Sequence, residues 1–344
     1  MRYKLFGKSG LKVSELCLGT MTFGEDWGFG AGRDECKAIF SAFRDAGGNF
    51  IDTANAYTNG TSEQIVGELV AGDRDRFVVA TKYSLMQRPG DPNSSGNHRK
   101  SMVTALDASL RRLGMDYVDI YWVHAADGVT PLEELMRALD DMVRAGKVLY
   151  VGVSDMPAWQ VSYSVALAEL RGWSRFVGLQ IEYSLLERTV ERELTPMARQ
   201  LDLAVAAWAP LAGGVLTGKY SAAGAEDSRR LAMNTGRITE RKLAIAGVVG
   251  QIAADLGRSP AQVALNWLRA KSGVVIPIIG ARKLAQIRDS LGALEFRLDD
   301  EQVRRLDEAS AIELGFPHDF LRQPYIDAIV RGDTWSKVDV HRAQ

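Results

Sequence analysis

The sequence predicts an α/β fold: a (β/α)8 TIM-type barrel in one domain, preceded by a β-hairpin and followed by a C-terminal tail. Three observations predict it. Eight short apolar runs alternate without a break with stretches of helical period. That is the order of a parallel sheet with crossover helices, and eight such units close a barrel. No internal repeat and no linker divides the chain. No G-x-G-x-x-G follows any of the apolar runs, which sets the runner-up, an open doubly wound sheet, behind the barrel.

Residues 2–7 and 11–16 read as a hairpin turning at Lys8-Ser9-Gly10. ELCLGT (15–20) is the first buried strand, and the loop 21–32 after it is rich in glycine and aromatics. Helical periodicity runs from Arg33 to Ala46 and stops at Gly47-Gly48. NFIDTANAY (49–57) is a strand to Asp52 and then a loop that delivers Tyr57. A helix begins near Ser62-Glu63 and reaches about Ala71. FVVATK (77–82) is a strand, and Pro89, Gly90, Pro92 and Gly96 make 84–97 a long polar loop. Helix 98–113 leads through Gly114 to strand 117–123, and Pro131 suits the first turn of helix 131–144, which Gly146 ends.

The alternation continues. KVLYVGVS (147–154) is a strand, Pro157 opens a helix to about Leu170, and FVGLQ (176–180) is the next strand. Helix 190–200 precedes LAVAAWAP (203–210). After a loop at 211–237 come helix 238–256 and a Pro260-initiated helix to Ala270. VVIPIIG (274–280) is the last strand, followed by helix 283–292. The barrel domain is drawn at 1–310. The tail, 311–344, mixes aromatics with prolines and packs either on the barrel or at an interface.

Composition narrows the function classes. A formal net charge of −1, with no run of five like charges, argues against nucleic acid or an anionic membrane as the main partner. Cys17 and Cys36 read as buried small hydrophobes, and His98, His124, His318 and His341 lie too far apart for a zinc-spaced cluster, so no metal site is expected. The start, MRYKLFGKSG, has no apolar signal region and no stretch approaches a membrane span, so a cytoplasmic protein is expected.

The chemistry lies where strands stop. Three apolar runs close on single ionisable residues, Asp52, Lys82 and His124, and the loop after the first brings Tyr57. At the carboxyl rim of a parallel barrel these four would form a proton-transfer centre. Taken singly, each has a plainer reading: a core ion pair for Asp52 and Lys82, an inward-facing, hydrogen-bonded histidine for His124. GGVLTGKY (213–220) nearly matches a nucleotide phosphate loop, but Tyr220 replaces the Ser/Thr that would hold Mg²⁺, so a triphosphatase is rejected.

The blocks GTMTFG (19–24), NFIDTANAY with Gly60 and Ser62-Glu63, ATK (80–82) and DIYWVH (119–124) resemble the aldo-keto reductase family. VGVSD (151–155), LQIEYSLLER (179–188), APLAGGVLTGKY (209–220) and IPIIGARKLAQIRDSLGAL (276–294) extend the resemblance to about residue 310. It implies a barrel that binds NAD(P)H at the carboxyl rim, where Arg282 and its neighbour Lys283 favour NADP(H) over NAD(H), and a tetrad of Asp52, Tyr57, Lys82 and His124. Tyr57 would give the proton as hydride reaches a carbonyl. An ammonium at ~4 Å in a medium of effective dielectric near 20 is worth roughly 4 kcal/mol, about three pKa units, so Lys82 would pull the tyrosine down from about 10. Asp52 would pin Lys82, and His124 would orient the carbonyl oxygen.

By the same resemblance Ser154, Asp155 and Gln180 would hold the nicotinamide carboxamide and Trp208 would stack on its ring. Many members carry Asn where Asp155 stands; Asp can accept from the carboxamide NH₂ but offers no donor to its oxygen. Gly19, Thr20 and Met21 after the first strand, and Leu211, Gly213 and Lys219 after the seventh, would serve the rest of the dinucleotide, the latter its pyrophosphate. Gly280, Arg282, Gln286, Asp289 and Ser290 stand at the adenosine-phosphate positions, where Glu-Asn is commoner than Asp289-Ser290. Arg282 and Lys283 supply two charges for a 2′-phosphate.

Met21, Phe23, Trp27, Tyr83 and Trp122 are expected to line an apolar pocket, with 311–335 as its cover, which suggests an aromatic or bulky apolar carbonyl or alcohol as substrate. Two rival readings stay open. One is a cofactor-bound regulatory subunit of an ion channel with little turnover, and the other is a barrel glycosidase using paired carboxylates. Helices and tail leave room for a homo-oligomer.

Overall fold

The computed structural model describes residues 1–218 and 239–339. Strands β1 (Tyr3–Leu5) and β2 (Lys12–Ser14) pair as an antiparallel hairpin. The eight strands that follow form a closed parallel barrel: β3 (Cys17–Gly19), β4 (Phe50–Asp52), β5 (Val78–Tyr83), β6 (Val118–Val123), β7 (Val148–Ser154), β8 (Phe176–Glu182), β9 (Ala204–Trp208) and β10 (Val275–Gly280), with β10 hydrogen-bonded back to β3. Around it lie α1 (Arg33–Asp45), α2 (Thr61–Val70), α3 (Arg99–Leu113), α4 (Leu132–Arg144), α5 (Ala158–Arg171), α6 (Leu194–Gln200), α7 (Glu240–Leu256), α8 (Pro260–Ala270), α9 (Leu284–Leu291) and α10 (Asp300–Ala309). The barrel and its hairpin are as expected.

Three details differ. The expected helix 190–200 is a 3-10 turn, Thr189–Glu191, followed by α6. Pro196 has no N–H and fits only a first turn, so the α-helix cannot begin much earlier than Leu194. Helix α10 was absent from the sequence reading, although Asp299 and Gln302 cap it reciprocally. The third is the tail, which carries two short helices, α11 (His318–Leu321) and α12 (Pro324–Arg331), neither with a buried residue.

The barrel interior explains two glycines. Lys82, Trp122, Gly152 and Gly178 are successive partners across β5 to β8. The Trp122 indole is fully buried and spreads across the row. A Cβ on Gly152 would come within 2.4 Å of the Trp122 ring, and one on Gly178 within 2.6 Å of Phe6. Phe6 reaches in from the hairpin and meets Phe50 and Trp122 edge-on at centroid distances of 5.5 and 6.1 Å. The hairpin thus plugs the amino end of the barrel with aromatics, leaving the carboxyl end for polar groups.

This interior also corrects the expected pocket. Phe23, Tyr83 and Trp122 are fully buried. Tyr83 neighbours the inward-facing Lys82 and so points outward, where it stacks on Tyr121 and donates to the Asn97 carbonyl at 3.0 Å. These three are core, not lining. Met21 and Trp27 stay partly exposed.

Gly152→Ala is expected to destabilise the protein by about 1–3 kcal/mol through overpacking against Trp122. Urea unfolding checks it: the loss should shrink when Trp122→Phe is added, and an undisturbed midpoint in the single variant would refute this packing.

Candidate active site

The site begins where β4 stops. Asp52 is 2% exposed, and both its carboxylate oxygens are engaged. Oδ2 is ion-paired with Lys82 at the end of β5, and Oδ1 accepts from Gln180 Nε2 on β8 at 2.9 Å. After β4 the chain makes the turn Tyr57–Gly60, where Thr58, Asn59 and Gly60 are all left-handed, with φ of 44°, 54° and 96°. A threonine rarely adopts this conformation. Here its hydroxyl compensates: it donates to the Phe23 carbonyl at 2.7 Å and accepts from the Ser62 amide at 3.0 Å. That turn aims Tyr57 back over Lys82.

Lys82 is fully buried, and its three N–H bonds are all committed. They go to Asp52, to the Thr53 carbonyl at 2.9 Å and to the Tyr57 hydroxyl at 2.9 Å. Since an ammonium only donates, the Tyr57 oxygen must accept there. Its own O–H is therefore left to point elsewhere. Burial alone would lower the Lys82 pKa, but Asp52 and Tyr57 hold it up to about 12.

Tyr57 departs from expectation. Its pKa is raised, not lowered: burial is the largest cause, and the Lys82 charge opposes it only in part because Asp52 pushes the other way. The ammonium that was to acidify the phenol is neutralised by its own counter-ion. The phenol thus holds its proton at neutral pH until charge develops beside it.

His124 follows β6. Its ring meets Tyr57 edge-on, with centroids 5.9 Å apart and planes at 84°. Burial, and then the Lys82 charge, lower its pKa to about 3, so it is neutral at ordinary pH. Its Nδ1 is buried without a partner.

The other expected residues fall into three groups. At the ends of β7 and β9, Ser154 is buried, its hydroxyl acting on the neighbouring Asp155 carboxylate but without a well-formed hydrogen bond, and Asp155 accepts from Trp208 Nε1 at 3.1 Å. Asp155 lies at φ 46°, a conformation Asp and Asn tolerate better than most residues. At the closing seam Gly280 pairs with Gly19, where a Cβ on Gly19 would come within 2.7 Å of the Ile278 side chain, while Leu211 and Gly213 (φ 67°) sit in the turn after β9. Met21 is half-buried.

A third group is engaged in the frame itself. The Thr20 hydroxyl is fully buried between the Asp52 carbonyl (3.0 Å) and Ser62 (2.9 Å). Gln286 accepts from the backbone of Arg282 and Lys283 at 2.8 and 3.2 Å, Asp289 accepts from Gln262, and Ser290 is buried. Lys219 lies outside the described residues.

Some neighbours were not anticipated. Glu35 on α1 accepts from the Leu284 amide at the start of α9. Asn55, three residues past Asp52, is 2% exposed with neither end of its amide paired. The Thr53 carbonyl holds the third Lys82 bond. Sequence offers no signal for a backbone carbonyl or for which acid in a first helical turn reaches a neighbour. Among the described residues no group of His, Cys, Asp and Glu could hold a metal ion, and no helix is long and apolar enough to cross a membrane.

Comparison with known proteins finds a family and relatives along nearly the whole chain. A model of the aldo/keto reductase family matches residues 15–311. The norsolorinic acid reductase stcV of Emericella nidulans is 37% identical over 323 residues, covering 91% of this chain and 82% of the relative. An NADP(+) aryl-alcohol dehydrogenase of Phanerodontia chrysosporium is 38% identical over 336 residues, covering 90% and 86%. The Bacillus subtilis protein YrpG, named an uncharacterized oxidoreductase, is 38% identical over 322 residues, covering 90% and 95%.

The His124 pKa has a consequence for stability. It is about 3 in the fold against about 6.5 in an unfolded chain, so only the unfolded chain takes up this proton as pH falls below about 6.5. Stability is whole above that pH and declines below it. The melting temperature of the unsubstituted protein should therefore fall more steeply than that of His124→Gln between about pH 6.5 and 5. Parallel curves would rule out the burial of a neutral imidazole.

Proposed function

The chain belongs to the aldo/keto reductase family, and from that premise we propose that it is an NADPH-dependent reductase of aldehydes or ketones, reversible toward alcohol oxidation. The observation that carries the reading is the bonding of Lys82. With all three of its donors committed and one of them on the Tyr57 oxygen, the only phenol proton faces away from the ammonium. A carbonyl oxygen placed there would receive it.

The residues present fit a nicotinamide. The buried Ser154 hydroxyl has no well-formed hydrogen bond, although it acts on the neighbouring Asp155 carboxylate, and it would supply the donor to the carboxamide oxygen that Asp155 cannot. The Gln180 amide nitrogen is turned to Asp52, so its oxygen is the end left to accept from the carboxamide NH₂. Trp208 gives a partly exposed ring held by Asp155. The cofactor, when bound, supplies the hydride that reaches the carbonyl carbon.

This chain's own groups do the rest. As electrons move onto the carbonyl oxygen, Tyr57 passes its proton there. The resulting phenolate is stabilised by Lys82, which stays protonated throughout. Asp52 keeps the ammonium in place, and the neutral His124 donates an N–H to the same oxygen. Because the resting Tyr57 pKa is high, transfer occurs only as the oxygen gains charge, not ahead of it.

Preference for NADPH rests on Arg282 and Lys283 at the start of α9, and a relative named for NADP(+) agrees with it. A relative named for aryl alcohols favours an aromatic carbonyl or alcohol as the small-molecule substrate. We take residues 1–310 as the catalytic barrel and 311–344 as a tail. The exposed Phe316, Tyr325, Ile329 and Val330 of that tail suit substrate cover or a contact between copies. A cytoplasmic location fits the redox cofactor pool this chemistry needs.

NADPH oxidation with a panel of aryl and alkyl carbonyls tests the reading. In Tyr57→Phe, kcat should fall by about 10²–10⁴-fold while NADPH still binds. Turnover unchanged in that variant would overturn the assignment of the acid, and tight binding without turnover on any carbonyl would move the reading to a regulatory subunit. Arg282→Ala should weaken NADPH by about tenfold or more and NADH little, as loss of a charge-assisted phosphate contact predicts. Equal losses, measured by fluorescence titration, would remove the NADP preference.

A further inference from the structure

The carboxylate at position 155 does more than a neutral amide could. β7 ends in Ser154, and the next residue turns left-handed at φ 46°, which brings Asp155 against the end of β9. There Oδ1 accepts from the Trp208 indole N–H at 3.1 Å. An aromatic group stacked on that indole lies on the order of 6–9 Å from the carboxylate, because stacked rings keep centroids about 4.5–7 Å apart. The same carboxylate is felt across the site: it adds to the causes that raise the Tyr57 pKa. Asp155 and the proposed acid stand at the same carboxyl rim, the one after β7 and the other after β4.

Among the described residues Asp155 has hydrogen-bond donors but no ion-pair partner. The Lys82 ammonium, which also acts on it, is already paired with Asp52. Among the described residues the concavity of about 360 Å³ beside Asp155 and Trp208 is lined by no lysine or arginine.

A nicotinamide ring is neutral when reduced and carries one positive charge when oxidised. We propose that Asp155 is a tuning residue whose charge binds the oxidised ring more tightly than the reduced one, and so eases the loss of hydride toward the substrate. This rests on the reductase reading above. It is a property of the carboxylate and not of the tether, since asparagine would keep both the bond to Trp208 and the left-handed backbone.

The test compares dissociation constants for NADP⁺ and NADPH, by calorimetry or fluorescence, in the unsubstituted protein, Asp155→Asn and Trp208→Phe. In Asp155→Asn the ratio of the NADP⁺ constant to the NADPH constant should rise by about five- to tenfold, the effect of one partly screened charge. At tenfold this corresponds to a shift of about 30 mV in the bound two-electron couple. Trp208→Phe removes the N–H tether but keeps the charge; it should weaken both nucleotides with the ratio held within about twofold, since their differential affinity alone reports the charge. A ratio unchanged in Asp155→Asn, or moved as far by Trp208→Phe, overturns the proposal while leaving the reductase reading intact. Failure of the unsubstituted protein to bind either nucleotide would overturn both.

Discussion

The site depends on a single buried ammonium. Lys82 has no solvent access, and a charge so placed costs several kcal/mol unless its partners are close and well aligned. The barrel supplies those partners from adjacent strands and one turn: Asp52 and the Thr53 carbonyl from the end of β4, Tyr57 from the turn after it. Meeting that requirement fixes almost everything else. Gln180 covers the second oxygen of Asp52, so both are engaged. Tyr57 can hold its orientation because Thr58 ties the strained turn to Phe23 and α2. A sheet closed on itself is well suited to this, since strand ends several crossovers apart meet on one rim with little freedom to drift.

The strain at that rim is regular. Three alternate strands, β5, β7 and β9, are each followed by a non-glycine residue of positive φ: Ser84 at 99°, Asp155 at 46° and Ala209 at 49°. Such conformations cost of order 1–3 kcal/mol each and persist where surrounding structure enforces them. At Ser84 the enforcement is visible: its hydroxyl bridges the carbonyl and amide of Ala125 at 3.2 and 3.1 Å. The sharp turn lets the last inward side chain of each strand stand at the top of the barrel without the following loop folding over it. Stability is thereby spent where access is needed, while the amino end is filled by Phe6, Phe50 and Trp122.

Much of this was legible in the sequence, and the failures are instructive. The barrel followed from alternation alone, and Asp52, Lys82 and His124 stood out because each ends an apolar run. Tyr83 could have been removed from the expected pocket by the period-two rule, since its neighbour Lys82 faces inward. Helix α10 carries its own signal in the sequence, the reciprocal cap of Asp299 and Gln302. The direction of the Tyr57 pKa was a different matter. It turns on how far one charge is cancelled by another and how deeply the phenol is buried, quantities that no spacing along the chain encodes. Nor could sequence tell that Gln286 and Asp289 bond to the frame.

Gln180 joins the two halves of the site, and its orientation is decided by chemistry. An amide has one donating and one accepting end, and a carboxylate accepts only. Turning the Gln180 oxygen toward Asp52 would set two acceptors against each other in a buried place, so the nitrogen must face Asp52, as it does at 2.9 Å. The oxygen is then committed to the opposite side, beside Ser154, its register partner on β7. On the proposed function, the charge that holds Lys82 would thus also bear on what this end of the rim can bind: a group offering N–H to Gln180 and accepting from the Ser154 hydroxyl, as a primary carboxamide does. Proton chemistry at Tyr57 and recognition at the end of β7 would then be two faces of the same buried ion pair.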